Sequence, residues 1–441
     1  MKLKYHIWTI GCQMNKSDSE RIAAFLEKNG YNPCMNEDDA DLIVVVACSV
    51  RQSAVDRIYG RSARYEKYKK KNPNLKTVLT GCVLDVDKKK LIKKFDLICD
   101  IREIEKIPNI TNEKIGNILN YSYFSIAPKH CSQFRAYIPV MTGCNNFCAY
   151  CVVPFTRDRE YSRPVLEIFE EVNDLVKKGY KEITLIGQNV NSYSGKTFPL
   201  CRPLCQVDIE QDKFLNFPEL LRLINSIKGD FWIRFATSHP KDMSEKLIDA
   251  IAECEKITPY IHLPLQAGSD KILKMMNRQY TRARYLDLIK KIKNCVPNAM
   301  ISTDIIVGFP GETKKDFLET VDIFKKIKYS MAYIAKYSPR AGTAAYNLND
   351  NISPDEKARR ERILNKILKE TALENNKKFI GKTVRVLIEQ QAGNNYIGKT
   401  AQFINTKIIE TKNEKTQDIK IGQFIDIKIT QATSFGMEGV I

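Results

Sequence analysis

Short apolar runs alternate with amphipathic helical patterns over the first 127 residues. The apolar runs are Tyr5–Ile10, Asp41–Val46 and Thr77–Thr80, and each has the composition of a β-strand. A capping box at Ser17–Glu20 and a stop signal at Asn29-Gly30 bound the first helix between them. Because strands that alternate with helices form parallel sheets, residues 1–127 are predicted to be an α/β domain with a parallel sheet.

Six strand-then-helix units follow between residues 130 and 370. This number predicts an incomplete (β/α)6 barrel that is open on one side, and in barrels the carboxyl ends of the strands build the site. The predicted strands are Ala136–Met141, Glu182–Ile186, Phe231–Phe235, Tyr260–Leu263, Met300–Val307 and Met331–Ala335. The predicted helices are Pro164–Lys178, Phe217–Ile227, Ser244–Glu253, Thr281–Lys293, Lys314–Lys326 and a longer one within Pro354–Asn375.

The last segment, residues 373–441, loses the helical period and contains short β-rich runs between polar turns. This pattern predicts a small closed β-barrel. The net charge of about +4 over residues 377–441 and the aromatic residues Phe403 and Phe435 favour RNA binding, while a lid or a dimerisation module is the alternative. The predicted strands are Thr383–Glu389, Ile397–Gln402, Lys407–Glu410 and Gln423–Thr430.

Composition narrows the class of protein. A chain of 441 residues with 43% hydrophobic content is long enough for about two to four domains. No apolar run approaches the ~20 residues that cross a bilayer, and the N-terminus lacks the apolar core of a signal peptide. We therefore expect a cytoplasmic protein without membrane contact. The net charge of +18 fits either a lysine-rich composition or a polyanionic partner such as nucleic acid.

Three of the 13 cysteines lie within eight residues of one another, at the end of the first predicted strand of the barrel. Cys144, Cys148 and Cys151 have the spacing C-x-x-x-C-x-x-C, which suits three corners of an iron–sulfur cube. No fourth cysteine is near, and a metal centre with an open position does chemistry. The alternative is a set of structural thiols or half of a zinc site.

Three other cysteines each follow one of the predicted N-terminal strands. Cys12, Cys48 and Cys82 are expected to converge, because the carboxyl ends of parallel strands meet at one edge of a sheet. They would form a second three-thiolate site. The alternative is that each is a small residue in a tight turn. The other cysteines of this region lack such a placement and are expected to be packing residues: Cys34, Cys99 and Cys131.

Polar residues follow the later strands of the predicted barrel. The loops Gly187–Asn191, Thr237–Pro240 and Gln266–Ser269 carry amides that can bind an adenine or a ribose. Asp304 lies inside an apolar strand and therefore needs a partner. Arg234 suits either a salt bridge or a clamp on a phosphate or carboxylate. Ordinary loop and capping polarity is the expected role of His239 and Ser269. The pair Cys201 and Cys205 is expected to be incidental, with no function.

Four motifs together resemble the radical S-adenosylmethionine methylthiotransferase family, and the resemblance covers essentially the whole chain. They are Gly11–Asn15, Cys48–Arg51, Cys144–Arg157 and Gly187–Tyr193. The two ends of the chain resemble that family's N-terminal methylthiotransferase domain (residues 1–127) and its TRAM RNA-binding domain (residues 373–441). The middle, residues 130–370, resembles its radical SAM domain. The chain departs from the usual pattern in two places: at Asp158, where glycine is common, and in the run Val83–Asp85, after Cys82.

The resemblance implies two [4Fe–4S] clusters. Cys144, Cys148 and Cys151 would hold the cluster that binds and cleaves S-adenosylmethionine, and Cys12, Cys48 and Cys82 would hold an auxiliary cluster that presents sulfur. Catalytic residues beyond these ligands are not assigned. Five residues at the strand ends are expected to contact S-adenosylmethionine: Gln188, Asn189, Arg234, Gln266 and Asp304.

The resemblance also implies a substrate. The motifs are most similar to the branch that inserts a methylthio group at C2 of N6-dimethylallyladenosine, next to the anticodon of tRNA. The expected partners are therefore the tRNA anticodon loop and an external electron donor. The alternatives are a methylthiotransferase for threonylcarbamoyl-adenosine in tRNA or for a ribosomal protein, and a non-enzymatic iron–sulfur protein that binds RNA.

Overall fold

A computed structural model describes residues 3–111, 123–197, 213–409 and 419–441. The chain divides into two compact units. The first, here called the cysteine unit, comprises Met1–Cys131, Thr142–Tyr161 and Ser338–Tyr346, and the remaining residues form the barrel unit. In the described part of the chain, none of the helices has the length and apolar character needed to cross a membrane.

The cysteine unit contains a five-stranded parallel sheet in the order β2-β1-β3-β4-β5, as the alternating pattern predicted. Its two edge strands, each of two residues, were not predicted. The strands are β1 (Lys4–Thr9), β2 (Asn32–Pro33), β3 (Leu42–Cys48), β4 (Lys76–Cys82) and β5 (Leu97–Ile98). The α-helices are α1 (Gln13–Lys28), α2 (Gln52–Lys71), α3 (Asp85–Leu91) and, after the central cysteines, α4 (Val153–Thr156). Short 3-10 helices span Glu37–Asp39, Ile101–Lys106, Pro108–Thr111 and Tyr123–Ser125.

Both faces of this sheet are buried, and β3 shows it most clearly. Val44 and Val46 belong to one apolar core, together with Phe25 of α1. Val45 belongs to a second core, together with Ile58 of α2. Alternate residues of a strand point to opposite faces, so a continuous apolar run marks a strand that is covered on both sides. This packing explains why the N-terminal strands could be located from composition alone.

The six predicted strands of the barrel unit are all present, and they pair as two three-stranded parallel sheets, β12-β9-β6 and β13-β14-β15. The strands are β6 (Arg135–Pro139), β9 (Glu182–Ile186), β12 (Trp232–Phe235), β13 (Tyr260–His262), β14 (Met300–Val307) and β15 (Met331–Lys336). The helices are α5 (Val165–Lys177), α6 (Phe217–Asn225), α7 (Glu245–Glu253), α8 (Asp270–Met275), α9 (Arg282–Cys295), α10 (Lys314–Ile327) and α11 (Pro354–Lys377). Shorter elements are β7 (Met141–Thr142), β8 (Tyr161–Ser162), β10 (Ser194–Lys196), β11 (Phe214–Asn216) and the 3-10 helices Val190–Ser192, Pro240–Asp242 and Ala344–Asn347.

The C-terminal strands close into a five-stranded barrel in the order β16-β17-β18-β20-β19. The prediction had four strands. It missed the last one, which contains two glycines and therefore lacks the composition of a strand. This barrel packs on the other strands of its unit: Arg135 pairs with Glu389, and Trp232 contacts Phe424. The strands are β16 (Thr383–Ala392), β17 (Asn395–Thr400), β18 (Asn405–Ile408), β19 (Phe424–Thr433) and β20 (Gly436–Val440).

Candidate functional site

The N-terminal cysteines lie at the carboxyl ends of three adjacent strands. Cys48 and Cys82 are the final residues of β3 and β4 and are register partners. Cys12 follows β1 and immediately precedes the first residue of α1. The amide of Ser49 donates to the carbonyl of Cys82 at 2.7 Å, so the pairing continues past the strand ends. The sheet therefore gathers the three thiols at one edge, as their placement in the sequence predicted.

Asn15 fixes the turns that carry these cysteines. Its side-chain amide, which is fully buried, donates to the carbonyl of Ala47 at 2.6 Å, and its Oδ1 lies 3.4 Å from the sulfur of Cys12. Gly81, at φ +95°, precedes Cys82, and a Cβ there would lie 2.7 Å from the carbonyl oxygen of Ala47. Such a contact is too close for any side chain, so only glycine fits. The sequence marked Asn15 as part of a motif but did not reveal this role.

Burial disfavours the thiolate form of two of these cysteines, Cys48 and Cys82. It raises the pKa of Cys48 and raises the pKa of Cys82 to about 11, although the positive charge of Arg157 opposes the shift at Cys82. A thiol must lose its proton to bind a metal, so metal binding here releases protons.

The central cysteines lie on a loop that the backbone of the cysteine unit holds in place. The amide of Cys144 donates to the carbonyl of Asp158 at 3.1 Å, and the amide of Cys151 donates to the carbonyl of Cys148 at 2.9 Å. The side-chain amide of Asn146 lies 3.5 Å from the sulfur of Cys144. These contacts fix the backbone of the loop at Cys144 and Cys151, and the binding of a cluster by the three sulfurs stays a prediction.

Two residues of this loop have left-handed backbone conformations. Gly143 has φ +79°, and a Cβ there would overlap the carbonyl of Arg159 at 2.0 Å. Asp158 has φ +60°, a conformation that glycine adopts at no steric cost. The departure from the usual glycine at position 158 therefore carries a conformational cost. An ion pair with Arg102, at 2.5 Å, offsets part of it.

The dipeptide Arg157-Asp158 connects the two cysteine sites. Arg157 donates from Nε to the sulfur of Cys82 at 2.9 Å, while the carbonyl of Asp158 accepts from the amide of Cys144 at 3.1 Å. The Arg157 guanidinium also pairs with the buried carboxylate of Asp18. Two sites that are 62 residues apart in the chain are therefore joined through two consecutive residues.

The donor sets fit iron–sulfur clusters. Each site offers three cysteine sulfurs, and each leaves one corner of a cube without a protein thiolate. In the described part of the chain, no three Cys, His, Asp or Glu side chains are close enough together to hold a single metal ion. A cubane binds its three thiolates through three different irons, so it does not need that closeness.

A cavity of about 400 Å³ adjoins the central cysteine loop inside the cysteine unit. Thr142, two residues before Cys144, lines it together with Arg159. The rings of Phe124 and Tyr161 also line it and are stacked, with centroids 5.9 Å apart and planes 18° apart. Its volume lies in the range of small-molecule sites, and its lining combines aromatic and cationic groups.

The strand ends of the barrel unit hold several buried polar atoms without partners. They are Oε1 of Gln188, Oδ1 of Asn189, both side-chain polar atoms of Asn191 and Oγ of Ser238. Buried polar groups are normally paired, so these atoms are available to a polar ligand or to water. These atoms suit the amino acid and nucleoside groups of S-adenosylmethionine. Gln188 and Asn189 were predicted to bind it, while Asn191 and Ser238 were not singled out.

The other predicted contacts of S-adenosylmethionine have different environments. Arg234 is buried and bonds Glu182 at 2.6 Å and the carbonyls of Thr400 and Ala401 at 2.9 and 2.8 Å. These contacts agree with the salt-bridge interpretation, and a cofactor role for Arg234 stays a prediction. Asp304 lies 3.4 Å from a ring nitrogen of His262, which is the partner that the sequence required.

Backbone geometry singles out Gln266. It has φ +69°, and its amide donates to the carbonyl of Asp304 at 2.8 Å.

His239 accepts from the amide of Lys241 at 3.2 Å, and burial lowers its pKa to about 2. His239 is therefore a neutral capping residue, as expected. Ser269 precedes α8 but caps no helical amide, and its hydroxyl bonds Asp316 at 2.6 Å.

The remaining cysteines differ in burial. Cys99 is buried, as expected for a packing residue, and Cys34 is half-buried. Cys131 is exposed, contrary to expectation, because the segment that carries it lies along the surface of α1, where its amide bonds Glu20. Cys201 and Cys205 lie outside the described residues.

Two family models match the chain, one over its N-terminal segment and one over its central segment. Residues 138–324 match the radical SAM superfamily, and residues 4–100 match the uncharacterized protein family UPF0004. A tRNA-2-methylthio-N(6)-dimethylallyladenosine synthase of Clostridium tetani is 40% identical over 99% of this chain and 95% of its own length. The Clostridium novyi protein of that name is 41% identical over 99% of this chain and 96% of its own length. The Thermoanaerobacter pseudethanolicus protein of that name is 39% identical over 99% of this chain and 92% of its own length.

Solved structures confirm the fold. The radical S-adenosylmethionine methyltransferase TsrM from Kitasatospora setae, with cobalamin and a [4Fe-4S] cluster bound, aligns with a TM-score of 0.51. It covers 78% of this chain and 77% of its own, at 12% sequence identity. At that identity the likeness concerns the arrangement of strands and helices alone.

Proposed function

The chain belongs to the family of tRNA-2-methylthio-N(6)-dimethylallyladenosine synthases, and we propose that it inserts a methylthio group at C2 of N6-dimethylallyladenosine next to the anticodon of tRNA. It is a radical S-adenosylmethionine enzyme that uses this cofactor and two [4Fe–4S] clusters. A tRNA substrate is implied by the names of the relatives. The anticodon loop as its binding partner, the external electron donor and the cytoplasmic location are parts of the proposal.

One observation carries the proposal: both three-cysteine sites lie in one compact unit and are joined through Arg157 and Asp158. A methylthiotransferase must generate a radical and deliver sulfur to the same carbon atom. One cluster suffices for the first task, and a second cluster near it serves the second. An electron-carrying or structural iron protein has no need of two open clusters in one unit.

The two sets of cysteines have different proposed roles. Cys144, Cys148 and Cys151 would hold the cluster that binds S-adenosylmethionine, and an auxiliary cluster would occupy the edge of the N-terminal sheet. When bound, these groups supply a carbon radical that removes hydrogen and a sulfur atom that replaces it. In the barrel unit, Oδ1 of Asn189 and the hydroxyl of Ser238 are buried without a partner and suit a polar ligand.

The cavity beside the central loop is the proposed place of the target nucleotide. Stacking on aromatic rings is how proteins hold an unpaired base, and an arginine nearby suits its phosphate. Phe124 and Tyr161 offer the stacked pair, and Arg159 offers the cation. The cavity lies in the unit that carries both cysteine sites.

The C-terminal barrel is proposed to bind the rest of the tRNA. Residues 377–441 carry a net charge of about +4, and Phe435 is 42% exposed. Phe403, the other candidate for stacking, packs against Tyr260 and Arg234 within the barrel unit. Phe435 is therefore the better candidate of the two.

The test is a nucleoside analysis after an anaerobic reaction. The protein, reconstituted with iron and sulfide, is incubated with S-adenosylmethionine, a reductant and tRNA that carries N6-dimethylallyladenosine. We expect a methylthio product by mass spectrometry of the digested tRNA. Formation of 5′-deoxyadenosine without that product would contradict the proposal. Parallel reactions with tRNA carrying threonylcarbamoyl-adenosine and with ribosomal protein would then identify the substrate.

A further inference from the structure

We propose that Arg157 is a positioning residue of the auxiliary cluster. Its guanidinium holds the thiolate of Cys82 and raises the reduction potential of the cluster bound by Cys12, Cys48 and Cys82. This inference rests on the proposed function, because it requires a cluster at these three cysteines. It adds a role for a residue outside both cysteine sets.

The guanidinium of Arg157 is divided between two partners. Nε donates to the sulfur of Cys82 at 2.9 Å. The two terminal nitrogens bond the carboxylate of Asp18. Because the guanidinium is planar and rigid, the pair with Asp18 fixes the direction of the Nε–H bond. The third donor is therefore held toward the sulfur rather than left to find a partner by rotation.

Burying the ion pair of Arg157 and Asp18 costs free energy, because both charged groups lose their hydration. Arg157 is 4% exposed and Asp18 is fully buried, and the hydroxyl of Tyr123 also donates to Asp18. A buried ion pair adds little stability compared with apolar side chains of the same size. The negative charge that a cluster thiolate brings to this buried edge gives the cation a function, because an N–H donor at sulfur stabilises that charge.

The position of Arg157 in the chain couples the two sites. It follows α4 and is the sixth residue after Cys151, at the end of the central loop. Its partner Asp18 is on α1, which begins directly after Cys12. A single guanidinium thus connects the segments that carry Cys12, Cys82 and the central cysteines. Correct folding of the central loop is therefore needed to complete the surroundings of the auxiliary cluster.

The sign of the effect on the cluster follows from charge. One-electron reduction makes a cluster more negative, and a cation with a hydrogen bond to a ligand sulfur stabilises the reduced form. Removal of Arg157 should therefore lower the reduction potential. Loss of the direction that Nε imposes on Cys82 should also reduce the iron that the site retains.

The experiment isolates the auxiliary cluster in the full-length chain. The parent carries Cys144→Ala, Cys148→Ala and Cys151→Ala, so that only the auxiliary site can load. Arg157→Gln and Arg157→Lys are made in this parent. The control is Arg61→Gln, which removes an arginine paired with Glu37 in the same unit. Each protein is reconstituted, its iron and sulfide are measured, and its potential is determined by a redox titration followed by electron paramagnetic resonance.

We expect a lower potential and less retained iron in Arg157→Gln, a smaller change in Arg157→Lys, and parental values in Arg61→Gln. Lysine keeps the charge but lacks the rigid fork, and it serves if the glutamine variant does not fold. A purely structural role predicts a lower melting temperature with an unchanged potential, and that result in both Arg157 variants would overturn the inference. Absence of iron from a parent that keeps the melting temperature of the unsubstituted protein would instead contradict the auxiliary cluster itself.

Discussion

Cys48 and Cys82 lie directly opposite each other as the last paired residues of two adjacent parallel strands. Register partners in a parallel sheet point to the same face, so the two sulfurs emerge on one side of the sheet. Cys12 joins them because β1 is the other neighbour of β3. Convergence of the three cysteines is thus a consequence of strand order.

Replacement of Cys12, Cys48 and Cys82 by alanine should separate the two sites chemically. The central loop is built from consecutive residues, so its cluster should assemble without them. We expect about half of the parental iron and sulfide, on the premise of two clusters. Cleavage of S-adenosylmethionine should persist, while no methylthio product forms.

The matched control for this variant replaces three other cysteines of the same unit: Cys34, Cys99 and Cys131. It should keep the full iron content. Iron analysis and the product assay are done on the same samples. Full iron content in the first variant would contradict the auxiliary cluster.

Asp158 offers a test of backbone strain. Its φ of +60° costs a non-glycine residue roughly 1 kcal/mol, while its exposed ion pair with Arg102 contributes about 0 to 1 kcal/mol. Asp158→Gly should therefore change the free energy of unfolding by less than about 1 kcal/mol. Asp158→Val should lower it by about 1–2 kcal/mol, because a β-branched residue is disfavoured there. Chemical denaturation of the three proteins measures both, and equal stabilities of the glycine and valine variants would disprove the account.

The C-terminal barrel can be tested by changing its surface alone. Deletion would leave the buried Arg234 without its carbonyl partners, so a loss of binding after deletion could not be attributed to RNA contacts. Lys420→Gln and Lys428→Gln remove exposed charges. Each should weaken tRNA binding and reduce the slope of log affinity against log salt by about 1 if it contacts a phosphate.

The control for the barrel lysines is Lys246→Gln, an exposed lysine on α7 of the same unit. It should leave the affinity and the salt slope unchanged. Binding is measured by fluorescence anisotropy at several salt concentrations. Parental slopes in both barrel variants would show that the RNA is bound elsewhere.

His239 predicts a pH dependence of stability. Burial, with smaller contributions from Arg278 and Lys241, lowers its pKa to about 2 in the folded chain, while the unfolded value is about 6.5. Between these values the unfolded state binds one more proton. The free energy of unfolding should therefore fall by about 1.4 kcal/mol per pH unit as the pH drops below 6.5. Above that pH the residue should have no such effect.

His239→Asn removes the titrating group and keeps an acceptor for the amide of Lys241. Its stability should fall less steeply than that of the parent between pH 6 and pH 5. Urea titrations at several pH values compare the two slopes. Parallel slopes would show that His239 is protonated in the folded chain.

Most of the fold follows from local sequence. Strand positions such as Leu42–Cys48 were evident because a strand covered on both faces is apolar throughout. Strands without that composition were missed: β20 contains two glycines, and β2 consists of an asparagine and a proline. Their strand character comes from pairing with neighbours and not from their own side chains.

The cysteine sites were foreseen to different degrees. The central trio is contiguous, so spacing alone identified it. The N-terminal trio needed the assumption that three strands are neighbours, which the sheet order confirms. The unpaired amide oxygens of Gln188 and Asn189 fit the predicted polar strand ends. Arg234 left two interpretations open, because sequence does not reveal which of several carboxylates and carbonyls an arginine meets.

Apolar periodicity and turn residues along the chain were sufficient to predict the fold class, and cysteine spacing indicated the two three-cysteine sites. The cofactors and the reaction were implied by the resemblance of the motifs to a known family. The contacts of Arg157 with Cys82 and Asp18 depend on segments 75 and 139 residues away, so no local pattern could reveal them. The left-handed conformation of Asp158 likewise became visible only in the folded backbone. Long-range pairings of this kind are set by how the whole chain packs, because the same side chain has many possible partners until the strands and helices are in place.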